Sequence, residues 1–351
     1  MSNPFLRNLI NGTAEPEAWA FHAFLDRVMQ GSAARQEVIA FLAGLSARPL
    51  AAACVVHFLS YVQGLSPPAP LAGGEDAVNI CGTGGGLATF NISTAAAFLA
   101  SAAGARVLKS GSSAYSSRCG SLDVLRALRV PTPDDPALLA EMLATLGIGF
   151  VPASHYTPLL RRMAGMVVPL AFRDLAGFIN TIGPLLCPYW VSAQLVGVGR
   201  AGHLDVVEEA LRRLGCSKTL LVHAEIGLDE LVSLGANDCR LIDGDIRRFT
   251  LHPHQFQFAG GALGELAGGT VDDNAAILRA VLAGGRRGAA RDTVLLNSGV
   301  LLYLGGLCPN IERGVARAAE VLDQGEGLAQ LERVVAWGQR HAPQRVSKAA
   351  A

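Results

Sequence analysis

The sequence predicts an α/β protein: a small, mainly helical domain followed by a larger α/β domain with a mostly parallel central sheet. Three observations predict it. Apolar residues recur at helical spacing through the first segment, where Phe21, Phe24, Leu25, Val28 and Met29 line one face. A short apolar strand, Ala77-Val78-Asn79-Ile80, then runs straight into a glycine-rich stretch, CGTGGGLATFNIST, from Cys81 to Thr94. A helical pattern (AAAFLASAAGA) and a second strand at Ala105–Leu108 follow it. That order is a βαβ unit, which requires parallel pairing and a right-handed crossover.

Taken in order, Val38, Ile39, Phe41 and Leu42 continue the helical pattern, and a further helix is expected around 50–63. The Pro-rich stretch Ser66 to Pro70 is a natural boundary. Beyond the βαβ unit, Thr219 to His223 reads as another strand. Arg240 to Arg248 with Phe249–Leu251 reads as a hairpin about Asp243-Gly244. Asp272 to Ala283 is a helix, and Thr293 to Leu302 a final buried segment.

Composition narrows the function classes. The chain has 351 residues, formal net charge zero and 50% hydrophobic residues, enough for a large core. Neutrality argues against nucleic acid or an anionic membrane as a partner. No apolar run reaches bilayer-spanning length and the start lacks the apolar core of a signal peptide, so a cytoplasmic location is expected. Seven cysteines without CxxC spacing read as reduced thiols.

The glycine-rich stretch is the first candidate site. Glycines at 82, 84, 85 and 86 let the backbone turn tightly and bring its N–H groups against a ligand. Asn91, Ser93 and Thr94 add short hydrogen-bonding side chains at the start of a helix, whose N-terminus favours a phosphate. Lys109 opens a second loop, rich in hydroxyls through Ser121, at the end of the next strand. A cation and serines there suit a sugar phosphate. In open parallel sheets, ligands sit beyond the carboxyl ends of the strands, so both loops belong on one face. Asp229 and Glu230, in Gly227-Leu228-Asp229-Glu230, place two carboxylates at the expected start of a helix. Such a pair suits Mg²⁺, or else merely complements the helix dipole.

In order along the chain, these segments resemble the anthranilate phosphoribosyltransferase family. The residues are GTGG at Gly82–Gly85, TFNIST at Thr89–Thr94, Lys109, Ser116-Ser117, GSLDVLRAL at Gly120–Leu128, INTIGPLLCP at Ile179–Pro188, GLDE at Gly227–Glu230 and the stretch Gly268–Gly284. The resemblance implies the fold type of nucleoside phosphorylases and these phosphoribosyltransferases. Residues 1–70 would form the helical domain, joined by a segment returning near 160–190, and 71–351 the α/β domain. It implies 5-phosphoribosyl diphosphate (PRPP) and Mg²⁺ at the hinge, a small aromatic acceptor, and a homodimer through the helical domain. Gly82, Thr83, Gly84, Gly85, Thr89, Asn91, Ser93, Thr94, Lys109 and Ser117 would hold PRPP, and Asp229 and Glu230 the Mg²⁺. No side chain is implied as a chemical catalyst; position and electrostatics would carry the reaction.

The chain also departs from the family. Where the family reads GTGGDG, Gly85 is followed by Gly86-Leu87-Ala88, with no Asp and one residue fewer before Thr89. Where it reads KHGNR, the His and Asn of the acceptor pocket are Ser110 and Ser112. The Arg of its PVR segment aligns with Ala171, while His155 keeps a family-like place by the acceptor channel. These losses gather on the acceptor side, so the expected activity is phosphoribosyl transfer to an aromatic or heteroaromatic nitrogen with an altered acceptor pocket. The alternatives are a true anthranilate phosphoribosyltransferase of tryptophan biosynthesis, a nucleoside phosphorylase, and a non-catalytic nucleic-acid binder. The carboxylate pair favours PRPP over phosphorolysis, which has no pyrophosphate to neutralise.

Overall fold

A computed structural model describes residues 3–12, 15–84, 87–111 and 120–341. Four helices come first: α1 (Pro4–Asn11), α2 (Ala18–Gln30), α3 (Arg35–Ala47) and α4 (Ala52–Leu65). Then follow β1 (Val78–Gly82), α5 (Ile92–Ala102), β2 (Val107–Ser110), α6 (Ser121–Ala127), α7 (Pro136–Leu146) and β3 (Ile148–Val151). Three helices return: α8 (Pro158–Val167), α9 (Phe172–Leu175) and α10 (Gly177–Ile182). The chain continues as β4 (Ala193–Gly197), α11 (Ala201–Leu214), β5 (Lys218–Ala224), β6 (Asn237–Asp243) and β7 (Asp245–Leu251). It ends in α12 (Val271–Leu282), α13 (Ala289–Leu304), α14 (Ile311–Asp323) and α15 (Glu326–His341).

The strands form one sheet in the order β3-β2-β1-β4-β5-β6-β7. The first five are parallel and the last two antiparallel. Sequence order reverses between β1 and β4, where a crevice opens beyond the strand ends. The expected parallel βαβ unit is β1-α5-β2. The expected hairpin is β6-β7, closed by Gly244 at φ +74 and longer than its sequence signature. Its turn needs positive φ, which glycine adopts without a Cβ clash.

Apolar side chains separate into two main cores. One joins α1–α4 with α8 and α10, around Phe21, Phe41, Phe58 and Met163. The other surrounds the sheet, with α5 and α13 inside it. Each amphipathic helix of the first segment has one face to bury, and the returning α8–α10 supply the complementary faces. The two connections between the cores run side by side. Ala69 N donates to Pro188 O (2.9 Å) and Trp190 N to Ala69 O (2.9 Å).

Two sequence expectations are corrected here. The segment Thr293–Leu302 is a buried helix, as α13, but not the final one; α14 and α15 pack beyond it. No helix follows Glu230: residues 225–236 form a compact loop closed by a hydrogen bond from Glu225 N to Ala236 O (2.9 Å). Leu231 and Val232 are both fully buried side by side, a placement that tertiary packing imposes against the helical pattern.

Helices α13 and α14 meet backbone to backbone. A Cβ built on Gly299 would lie 2.5 Å from Val315 N, and one on Gly314 would overlap Gly299 O. Gly314→Ala therefore forces the helices apart and is expected to cost about 2–3 kcal/mol, read by urea denaturation. An unchanged midpoint would show that this crossing yields freely.

Candidate functional site

Where β1, β2, β4 and β5 end, a cleft of about 370 Å³ opens between the sheet and the returning helices. Its floor is the glycine loop. Gly84 adopts φ +68, and the turn is tied to β4 by Thr83: Thr83 N donates to Gly197 O (2.8 Å) and Gly199 N to Thr83 Oγ1 (3.0 Å). Thr89 and Phe90 are pinned from outside, Thr89 bridging Ala267 and Phe90 N donating to Leu266 O (3.0 Å). Helix α5 thus begins at the cleft, with Asn91 as its N-cap. The Asn91 side chain is not spent on the cap; its Oδ1 accepts from Asn274 Nδ2 (3.2 Å), and Asn274 Oδ1 accepts from Gly269 N (2.8 Å).

Lys109 stands at the end of β2, almost fully buried. Its Nζ donates to Ile80 O (3.1 Å) and Ser93 Oγ (3.2 Å), so an ammonium's third N–H remains for an incoming anion. Burial lowers its pKa to about 8, against the pull of Cys81, Glu230 and Asp229.

Asp229 crosses the β1/β4 switch point. Its Oδ2 accepts from Gly84 N (2.6 Å), and it presses on two strand-end glycines. A Cβ on Gly82 would lie 2.9 Å from Asp229 Cγ, and one on Gly197 would overlap Asp229 O. Burial raises the Asp229 carboxyl above the usual range. Glu230 is pushed up further, by burial first and then by the charge of Asp229 beside it. Glu230 Oε2 is buried with no hydrogen-bond partner among the described residues.

The opposite wall comes from the loop before α8 and from α8–α10: Tyr156, Leu160, Phe172 and Ile179, with Arg161 also lining the cleft. Burial raises the Tyr156 hydroxyl, with Ser110 and the Gly111 backbone pulling the other way. Ser110 is itself locked, its N (3.0 Å) and Oγ (2.9 Å) both donating to Asn79 Oδ1.

Of the residues singled out from sequence, Gly82, Thr83, Gly84, Thr89, Asn91, Ser93, Lys109, Ser110, Asp229 and Glu230 line this cleft. Gly85, Ser112 and Ser117 lie outside the described residues. Three are placed elsewhere. Thr94 is fully buried behind Ser93, with Oγ1 unpartnered among the described residues. His155 is turned away, its Nδ1 2.8 Å from the Tyr189 hydroxyl and its Nε2 2.6 Å from Asp134 O. Ala171 is the exposed residue before α9, and its neighbour Phe172 faces the cleft instead. The aromatic wall was missed in the sequence because apolar residues at helical spacing look the same whether they face a core or a ligand.

Residues 74–328 match the Glycosyl transferase family, a/b domain. Anthranilate phosphoribosyltransferase of Rubrobacter xylanophilus is 37% identical over 313 residues, covering 89% of this chain and 90% of that protein. The crystal structure of anthranilate phosphoribosyltransferase from Thermus thermophilus superposes with a TM-score of 0.79 at 32% identity, covering 97% of this chain and 100% of that one. The Saccharomyces cerevisiae enzyme in complex with PRPP and Mg shares the fold at a TM-score of 0.81 and 24% identity, over 96% of this chain and 97% of that one. A glycine loop, a strand-end lysine and a carboxylate pair gathered at one switch point agree with relatives matched along nearly the whole length: this chain belongs to the anthranilate phosphoribosyltransferase family.

Proposed function

We propose that this protein moves the 5-phosphoribosyl group of PRPP to a nitrogen of a small aromatic acceptor, with inversion at C1, and that Asp229 and Glu230 hold Mg²⁺. One observation carries the reading: two adjacent half-buried carboxylates, one with a buried, unpartnered oxygen among the described residues, face a glycine loop and a buried lysine across one cleft. Two adjacent carboxylates lining the cleft, with the charge of Lys109 acting on both, fit a divalent cation plus phosphate oxygens.

When bound, Mg²⁺ neutralises charge on the departing pyrophosphate. The chain does the rest by position. Main-chain N–H groups of the glycine loop and the start of α5 orient phosphate oxygens. Lys109 supplies a fixed positive charge. Tyr156, Leu160, Phe172 and Ile179 give the cleft an apolar side on which a planar acceptor could pack.

The acceptor end supports an altered specificity. Ser110 stands where the family has His, and its N and Oγ both donate to Asn79 Oδ1. No Arg stands at Ala171 to face an acceptor carboxylate. We therefore favour an acceptor other than anthranilate. The helical unit of 1–70 with its return near 160–190, set against 71–351, is supported by the two separate cores. We propose a homodimer through the helical unit, whose surface carries Trp19, 74% exposed, and Ile10, 45% exposed. Among the described residues no helix is long and apolar enough to cross a membrane, and the six described cysteines are all unpaired, which supports a cytoplasmic location.

Calorimetric titration of PRPP with and without Mg²⁺, followed by anthranilate, tests the reading. The expected result is Mg²⁺-dependent PRPP binding with weak or no anthranilate binding. Tight anthranilate binding and turnover would overturn the altered pocket and leave a true anthranilate phosphoribosyltransferase. Absence of PRPP binding would overturn the transferase.

A further inference from the structure

The two residues after Glu230 are held by their main chains, and the holders are buried amides. Asn297 Nδ2, on α13, donates to Leu231 O (2.8 Å). Asn237 Oδ1 accepts from Val232 N (2.8 Å), and its Nδ2 lies within bonding distance of Val232 O (2.9 Å), Gly235 O (3.1 Å) and Leu251 O (3.3 Å). One residue further, Ser233 N donates to Thr293 Oγ1 (3.2 Å), one turn before Asn297 on the same helix. Asn237, Thr293 and Asn297 are at most 1% exposed.

Three buried polar side chains in one place are a cost that an apolar core would avoid. Asn297 Oδ1 has no hydrogen-bond partner among the described residues, so this clamp keeps an amide only half used. Such groups set one geometry over others rather than maximise stability. The geometry at stake is that of Asp229 and Glu230. Both carboxyl groups sit on one loop, so their arrangement depends on how that loop is held. A loop hydrogen-bonded at its next two residues resists small displacements of the pair.

We infer that Asn297 and Asn237, assisted by Thr293, are positioning residues that hold the Asp229-Glu230 pair in its ligating arrangement before any cation binds. This rests on the Mg²⁺ reading above. They touch neither substrate nor ion; they act through the Leu231 and Val232 main chain.

The test uses the full chain with PRPP and Mg²⁺ as probes. Asn297→Ala is expected to raise the Mg²⁺ concentration that half-supports PRPP binding at least tenfold in calorimetry. In the metal-free protein it is expected to speed hydrogen exchange in 225–236 at least tenfold, with β1 and β2 unchanged. Val300→Ala, a cavity in the same helix, is the control: it lowers thermal stability but leaves the Mg²⁺ requirement within twofold. Thr293→Val keeps volume and removes the hydroxyl that bonds both Ser233 N (3.2 Å) and Ser233 Oγ (3.1 Å), so it is read if Asn297→Ala does not fold; at least a threefold rise in Mg²⁺ requirement is expected. An unchanged Mg²⁺ requirement in whichever variant is read, or an equal rise in Val300→Ala, overturns the positioning role. PRPP binding that ignores Mg²⁺ in the wild type overturns the underlying metal reading, a separate outcome visible before any variant is made.

Discussion

Gly197→Ala is expected to abolish Mg²⁺-dependent PRPP binding and to destabilise the fold by about 3 kcal/mol, at the upper end of what overpacking costs. The last residue of β4 has no room for a methyl group, because its Cβ would fall on the Asp229 carbonyl and lie 3.2 Å from Asp229 Cα. The obstruction is backbone, so no side chain can rotate away. Either β4 or the 225–236 loop must move. The sheet is held by parallel ladders on both sides of β4, so the loop is the part that lifts. Lifting removes Asp229 Oδ2 from Gly84 N and carries the carboxylate pair away from the glycine loop. Urea denaturation reads the stability and calorimetry the PRPP affinity. Retained PRPP affinity in a folded variant would show that contact with β4 does not set the carboxylate position.

Lys109→Met is expected to weaken PRPP binding about 100-fold while the folded protein keeps or gains stability. A charge-assisted hydrogen bond to an anion contributes roughly 1.5–3 kcal/mol, which sets this scale. Stability moves the other way because burying an ammonium is costly and methionine fills similar space without charge. The pH dependence has a definite sign. Lys109 has a pKa of about 8 in the unliganded fold, against an ordinary value of 10.5. The unfolded chain therefore holds more protons between these values. Stability from this group rises with pH across that window and is lost as pH falls through about 8. PRPP affinity runs oppositely: it falls as pH climbs past about 8, because the free protein must first regain the proton. Lys109→Met removes both limbs. A wild-type affinity flat from pH 7 to 9.5 would sink this account of Lys109.

Much of this was readable without coordinates, because the governing rules are local. Four glycines before a helix start announce a turn whose ligands are main-chain groups. An apolar run ending at Lys109 announces a strand with a cation at its carboxyl end. Asp243-Gly244 announces a hairpin. What failed were inferences needing knowledge of the opposite wall. Asp229 and Glu230 suggested a helix start by their sequence, but Asn237 and the buried Leu231-Val232 pair hold the chain as a loop. His155 and Ala171 were placed by alignment near the acceptor, yet one is tied to Tyr189 and Asp134 and the other is exposed beside Phe172.

By itself, then, the sequence determined the local chemistry: a glycine loop after β1, a lysine near the end of β2, a carboxylate pair after β5, and helices long enough to cover a parallel sheet. Periodicity, glycine dihedrals and side-chain charge are properties of neighbouring residues, so they survive without a fold. Only the tertiary structure decided that Gly82 and Gly197 make room for Asp229, that Asn297 grips Leu231 from 66 residues away, and that Tyr156, before α8, and Phe172, in α9, share one cleft with Lys109 and Ser110. Those facts depend on which surfaces meet when two cores pack against one sheet edge, and contacts between distant segments leave no periodic trace along the chain.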